Sequence, residues 1–162
     1  MMNEPTKPME TETALTVASK DEVFTGVTPA ELMNPTASAM YCSLKDDGTA
    51  KSKGRIFNAI NSPDKKLSDV IGETINLTNI VAHTIELIDE ETGELIQALR
   101  VVLVDDKGVT YEAVSGGVAN AISRLLQIYG QPETWIEPIK VKARQKATRN
   151  GNNKVTTLEV VM

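Results

Sequence analysis

The stretch IKVKARQKATRNGNNK, residues 139–154, begins with a cation on every second residue. Successive side chains of a β-strand point to opposite faces, so this spacing predicts one charged surface and one surface packed in a core. The segment 150–153 predicts a hairpin turn, because Asn and Gly tolerate the positive φ that such turns require. The cations are Lys140, Lys142, Arg144 and Lys146, and Arg149 and Lys154 continue the run. We therefore expect two paired strands with a basic rim.

This basic rim has two interpretations. Charges about 6.6–7 Å apart along a strand match the spacing of phosphates in an extended single strand of nucleic acid. The ordinary alternative is a solvated outer face of a sheet. The net charge of the whole chain is −5, yet acids gather in the N-terminal third and at Asp89–Glu94. A local basic surface therefore coexists with an acidic total.

Length and composition indicate one folded domain with an appendage. The chain has 162 residues, and residues 1–37 contain four prolines and many Thr and Glu. We predict that residues 1–37 form a disordered acidic tail and that residues 38–162 form the domain. Cys42 has no second cysteine to pair with, and no apolar run approaches the ~20 residues of a membrane span. We expect a soluble, cytosolic protein with no disulfide, no metal and no cofactor.

A hairpin is predicted at the front of this domain, over residues 38–60. Ser38–Lys45 alternates apolar and polar residues and is followed by a turn signal at Asp46–Gly48. The returning strand would end at Asn61–Asp64. This predicted strand carries three cations and one aromatic residue on alternate positions: Lys51, Lys53, Arg55 and Phe57.

The remaining elements follow the order of a known barrel. Strands are predicted at Thr74–Ile88, Leu95–Val104 and Val109–Val114, then a helix from the N-cap Ser115 to Gly130, then the two basic-rim strands. The helix face is Val118, Ile122, Leu125, Leu126 and Tyr129, and Trp135 is expected to cover one end of the barrel. Three strands, a helix and two strands is the order of an OB-fold. We predict a mainly β, OB-type five-stranded barrel with its helix between strands 3 and 4, preceded by the extra hairpin.

Catalysis has little support in the residues. The chain has one His and one Cys, and no Gly-rich phosphate loop follows a strand. His83 lies in the middle of a predicted strand, where a structural role is the ordinary interpretation. The sequence therefore favours a binding protein over an enzyme.

Aromatic residues beside cations favour nucleic acid as the ligand. Phe57 shares a predicted strand face with Arg55, and Tyr41 shares one with Lys45. Cations hold phosphates, and aromatic rings stack on bases at about 1–3 kcal/mol each, whatever the base. Either ring alone is more typical of a core residue. Two basic strands with two placed rings together predict binding of a nucleic acid.

Several short motifs occur together in the chain: Gly54–Ala59, the long strand from Gly72, Gly108–Tyr111 leading into Ser115 and its helix, and Lys140–Lys142 with the Asn-rich hairpin. This set resembles the motifs of the single-stranded DNA-binding proteins of protein-primed phages of Gram-positive bacteria. The resemblance covers the chain from about Met40 to the C-terminus. It implies sequence-independent binding and protection of single-stranded DNA during viral replication, in the cytoplasm of the host.

The resemblance also implies site residues and partners. Tyr111 matches a tyrosine that stacks on DNA in that family, and His83 falls where another aromatic residue is found. Replication proteins are implied as partners. An exposed edge strand such as Ser38–Lys45 can pair between subunits, which leaves a homo-oligomer open. The predicted contacts are thus Lys140, Lys142, Arg144, Lys146 and Arg149 on phosphates, Lys51, Lys53 and Arg55 beside them, and Phe57, Tyr111, Tyr41 and His83 as stacking residues.

A second function class remains open on the sequence. A phage structural or assembly protein can use the same basic strand to dock on an acidic partner subunit. That class predicts a stoichiometric protein complex and no preference for DNA.

Overall fold

A seven-stranded mixed sheet carries most of the described chain. The computed structural model describes residues 40–148, 151 and 154–162, so the predicted tail and its boundary at residue 37 lie outside the described residues. The strands are β1 (Met40–Cys42), β2 (Lys65–Lys66), β3 (Thr74–Ile88), β4 (Leu95–Asp105), β5 (Thr110–Ala113), β6 (Ile139–Ala147) and β7 (Lys154–Val160). The helices are α1 (Ala50–Asn61) and α2 (Gly116–Tyr129), with short 3₁₀ turns at Leu67–Val70 and Pro132–Thr134.

β3 is the strand around which the sheet is arranged. The order is β2-β5-β4-β3-β6-β7, and β1 also pairs with β3. One edge of β3 pairs with β4, while the other edge pairs with β6 at Thr74–Leu77 and with β1 at Val81–His83. β2 runs parallel to β5, and the other pairs are antiparallel.

An irregularity in β3 divides its apolar residues between two cores. The register of β3 on β4 shifts between Leu77 and Asn79. Ile75 and Leu77 lie in the larger core, as does Ile80 beyond the shift, whereas Val81 lies in a second, smaller cluster. A bulge adds one residue to a strand and so reverses the alternation that follows it. The spacing of Ile75, Leu77 and Val81 in the sequence would place all three on one face, and the bulge moves Val81 to the other face.

The two helices pack on opposite faces of the sheet. Val118, Ile122 and Leu126 of α2 lie in the larger core with the inner side of the strands. Ile56 and Ala59 of α1 pack in the smaller cluster, which also contains Cys42, Leu44, Val81, Val102 and Val104. We call the side of the sheet that carries α1 the outer face.

The predicted front hairpin is wrong in its second half. β1 forms as a strand, but residues 50–61 form the helix α1 rather than a returning strand. Thr49 caps this helix, since its hydroxyl oxygen accepts a hydrogen bond of 3.1 Å from the Ser52 backbone N–H. Ser52, Ile56 and Ala59 are buried at spacings of four and three, which is the period of a helix face.

From β3 onward the predicted order of elements is confirmed: three strands, a helix and two strands. The strand count differs, because β1 and β2 make seven strands instead of five, and the sheet curls into half a barrel. The first residues of α2 lie close to β7. The Ser115 hydroxyl, which caps α2, donates a 2.9 Å hydrogen bond to the Thr156 carbonyl oxygen.

The close approach of α2 to β7 predicts the effect of adding one methyl group at Gly117. A Cβ there would lie 2.2 Å from the Thr156 carbonyl oxygen and 2.9 Å from Val155 Cγ1. Overpacking of this kind costs about 1–3 kcal/mol, so we expect Gly117→Ala to lower the free energy of unfolding, measured with urea, by that amount.

The neighbouring Gly116 supplies the control for that measurement, since a Cβ there meets nothing within 4 Å. We expect Gly116→Ala to leave stability unchanged or raise it slightly. Equal changes in the two variants would show that contact with β7 does not govern this position.

Candidate nucleic-acid interface

β6 has the two surfaces that its sequence predicts. Ile139, Val141 and Ala143 are buried and lie in the larger core. The side chains between them therefore turn to the outer face. Lys140, Arg144 and Lys146 are exposed there, and Lys142 is half-buried. We call these four cations the basic row.

Glu159 of β7 interrupts the basic row. It lies directly opposite Lys142 in the β6–β7 register. Its carboxylate is 3.2 Å from Lys142 Nζ and accepts a 2.6 Å hydrogen bond from Arg144 Nη1. The Arg144 bond, aided by Lys142, holds the pKa of Glu159 below its ordinary value. One carboxylate thus neutralises part of the row, and it remains ionised at neutral pH.

A small open depression adjoins the centre of the row. It has a volume of about 480 Å³ and is bordered by Gly72, Lys142, Arg144 and Lys154. The Gly72 N–H donates a 2.9 Å hydrogen bond to the Ala143 carbonyl oxygen, which fixes the loop before β3 against β6. Cations on three sides of a depression suit an anionic group such as a phosphate.

The second set of cations does not form a row, because Lys51, Lys53, Arg55 and Phe57 lie on α1 and alternate positions of a helix point in different directions. Lys53 Nζ is paired with the Asp46 carboxylate at 2.9 Å. The Phe57 ring is 63% exposed. α1 nevertheless sits on the outer face, the face to which the basic row also points.

The rings of Tyr41 and Tyr111 are buried, with 1% and 8% of their surface exposed. The Tyr41 hydroxyl donates to Gln131 Oε1, and the Tyr111 hydroxyl donates to Asp105 Oδ2 at 3.0 Å. Burial, with Asp105 beside it, raises the pKa of Tyr111 to about 12. Stacking requires an open ring face, and in this structure neither ring offers one.

His83 lies on the outer side of β3, opposite Arg100 in the β3–β4 register. Its Nε2 is buried and has no hydrogen-bond partner in the structure. Burial, together with the positive charge of Arg100, lowers the pKa of His83 below its ordinary 6.5. The imidazole is therefore neutral at pH 7. Arg149, the last of the predicted contacts, lies outside the described residues.

Three further side chains border grooves beside the basic row, and the sequence did not single them out as contacts. Arg124, on the exposed side of α2, borders a groove that also contains Arg144 and Lys146. Tyr129 and Trp135 border a larger groove that reaches Lys140. Helical periodicity assigned Tyr129 to the buried face, but as the last residue of α2 its ring is 44% exposed. The sequence signal for this exposure was the position of Tyr129 directly before Gly130, which ends the helix.

Comparison with known protein families gives a match over most of the chain. The family model for phage single-stranded DNA-binding proteins of the Phi29 type matches residues 36–160. The chain belongs to this family. It therefore binds single-stranded DNA in phage DNA replication, and the family is one of binding proteins and not of enzymes. A search of curated proteins and a search of solved structures gave no match.

Two further features of the described residues bear on the type of protein. No group of three or more His, Cys, Asp or Glu residues among them has the geometry to hold a metal ion. Neither helix in the described part is long and apolar enough to cross a membrane.

The lowered pKa of His83 predicts a pH dependence of stability. His83 is the chain's one histidine. Because its pKa is lower in the folded chain than in the unfolded chain, the unfolded state binds more protons as the pH falls through 6.5. We expect the free energy of unfolding, measured with urea at several pH values, to decrease as the pH falls through 6.5 towards the folded-state pKa. His83→Gln should remove that slope, and an equal slope in both proteins would contradict the prediction.

Proposed function

We propose that the basic row of β6 binds the phosphates of the single strand and that binding is independent of base sequence. The observation that carries this proposal is the strict alternation of buried Ile139, Val141 and Ala143 with outward cations on a rigid strand. Cations held at regular spacing bind a backbone whatever its bases, because the phosphates are identical. A protein that covers the strand in this way also protects it.

We propose that positive charge beyond the basic row also contributes, at Arg149 and on α1. Arg149, in the chain segment that joins β6 to β7, extends the run of cations in the sequence beyond Lys146. Lys51 and Arg55 of α1 are exposed on the outer face and supply additional positive charge there, whereas Lys53 is engaged with Asp46. Phe57 retains its predicted role as a stacking residue, supported by its exposed side chain, and His83 remains a proposed contact on the outer side of β3, opposite Arg100.

The proposed domain is residues 38–162, an OB-type half-barrel. The family match from residue 36 and the strand–helix order from β3 to β7 support this assignment. We also propose that the protein acts in the cytoplasm of the host with replication proteins as partners, which a role in phage DNA replication supports. Self-association through a sheet edge remains part of the proposal, since β7 is an edge strand of the described sheet.

Removal of one phosphate contact should reduce the salt dependence of binding. Lys146 is exposed at the end of the row. We expect Lys146→Gln to weaken binding to oligo(dT) and to mixed-sequence oligonucleotides by the same factor. It should also lower the slope of log K against log salt concentration by about 0.7. Fluorescence anisotropy at four or more salt concentrations measures both quantities.

Lys66→Gln is the matched control, since Lys66 is also exposed but lies on β2, at the opposite edge of the sheet. We expect it to leave the slope unchanged. Equal reductions in the two variants would mean that net charge, and not the position of β6, determines affinity.

The ion pairs of Glu159 with Lys142 and Arg144 predict that removing its charge will tighten the binding of single-stranded DNA. Glu159→Gln keeps the shape of the side chain but releases Lys142 and Arg144 from their shared ion pair. We expect higher affinity and a slope steeper by about 0.7–1.4, corresponding to one or two additional phosphate contacts. Glu91→Gln removes the same charge from the β3–β4 turn and serves as the control. An increase no larger than that of Glu91→Gln would refute a local role for Glu159.

A further inference from the structure

An aromatic groove lies at one end of the basic row. It has a volume of about 1050 Å³, and its lining includes Tyr129, Trp135, Ile136, Lys140, Val161 and Met162. We call it the Trp135 groove. Among its lining residues Ile136 and Met162 are fully exposed and Tyr129 is partly exposed, so the groove presents an open apolar surface. An exposed apolar surface of this kind marks a binding site more often than chance.

The backbone holds the indole of Trp135 in place and fixes the main chain at Tyr129. Trp135 donates a 2.9 Å hydrogen bond from its indole Nε1 to the Gly130 carbonyl oxygen. Its own N–H donates a 3.0 Å hydrogen bond to the Pro132 carbonyl oxygen. Gly130 ends α2 with φ of 80°, a conformation that favours glycine. The indole is therefore fixed at the rim with its polar atom satisfied, and Tyr129 is anchored by the last turn of α2.

Positive charge connects this groove to the phosphate site. Lys140 belongs both to the basic row and to the lining of the Trp135 groove. Tyr129 also borders the neighbouring groove, where Arg124, Arg144 and Lys146 lie. Tyr129 thus has cations in the grooves on both of its sides. Glu137 and Asp106 also line the Trp135 groove, and Asp106 accepts a 3.3 Å hydrogen bond from the Asn76 amide.

We propose that the Trp135 groove takes the bases of the bound single strand, with Tyr129 and Trp135 as the rings on which they stack and Lys140 on the adjoining phosphate. The combination of stacking rings and cations is the one that holds single strands without base preference. The rings favour this occupant over an acidic protein surface, because a nucleotide brings a base for Tyr129 and a phosphate for Lys140 at once. An acidic protein surface would bring no ring and would also meet the carboxylates of Asp106 and Glu137. The proposal rests on the phosphate contacts proposed for β6.

Two strands of equal length separate base contacts from phosphate contacts: oligo(dT), and an abasic strand that keeps the sugars and phosphates. Trp135 is the chain's one tryptophan, so tryptophan fluorescence reports on this groove. We expect oligo(dT) to quench it and the abasic strand to bind without quenching. Tyr129→Ala should weaken binding to oligo(dT) by roughly 5- to 150-fold, the effect of losing one stacked base, with an unchanged salt slope and little change for the abasic strand.

Two further variants serve as controls, one at Tyr129 itself and one at the neighbouring residue Ile128. Tyr129→Phe keeps the ring and should keep the affinity for oligo(dT). Ile128→Ala removes a side chain that is 78% exposed on the same turn of α2 but does not line the Trp135 groove. We expect it to leave affinity within about twofold, since no ring is lost. Thermal melting of each variant confirms that the fold is retained.

Three results would overturn the base-binding assignment. The first is equal quenching by the two strands, and the second is equal losses on both strands in Tyr129→Ala. The third is a change in the sedimentation coefficient of DNA-free Tyr129→Ala without quenching of the parent protein, which would assign the groove to a second copy of the chain. In all three the parent protein still binds oligo(dT) in a salt-dependent gel shift. Absence of that shift would instead refute the phosphate contacts of β6.

Discussion

The pairing of β3 along both of its edges determines where every other element of the site lies. One edge is taken by β4, and the opposite edge is divided between β6 at its start and β1 at its middle. β6 pairs only with the first four residues of β3. The rest of β6 therefore extends past the end of β3 and pairs with β7 alone. The basic row is therefore displayed at the border of the half-barrel, where an extended strand has access to it.

The bulge in β3 gives the sheet two usable faces. Below the bulge, Ile75 and Leu77 share the larger core with Val141 and Ala143 of β6. Above it, Val81 turns to the outer cluster under α1. In a regular strand Val81 would share the face of Ile75 and Leu77, and Ile80 would turn to the outer face in its place. Arg100 strengthens this arrangement, since it bonds the Ile60 carbonyl oxygen at 2.9 Å and pairs with Glu112 of β5.

Long periodic segments could be predicted from the sequence, and features that depend on distant residues could not. β6 and α2 follow one period over nine residues or more, and β3 alternates on either side of its bulge, so the bounds of all three match the prediction closely. Residues 50–61 satisfy two periods at once, since Lys51, Lys53 and Arg55 alternate while Ser52, Ile56 and Ala59 recur at helical spacing. Packing on Val81 and Val102 decides in favour of the helix. The burial of Tyr41 likewise depends on Gln131, 90 positions away along the chain.

The acid within the basic row and the rings at its end are consistent with a protein that must release DNA as well as bind it. A protein bound to single-stranded DNA has to leave when the strand is copied, so very high affinity would oppose replication. Glu159 already satisfies Lys142 and Arg144 in the free protein, which reduces the net gain when a phosphate replaces it. Stacking adds affinity that salt does not screen, because it involves no counterion release. A site with both elements therefore binds every sequence, yet is not held solely by charge.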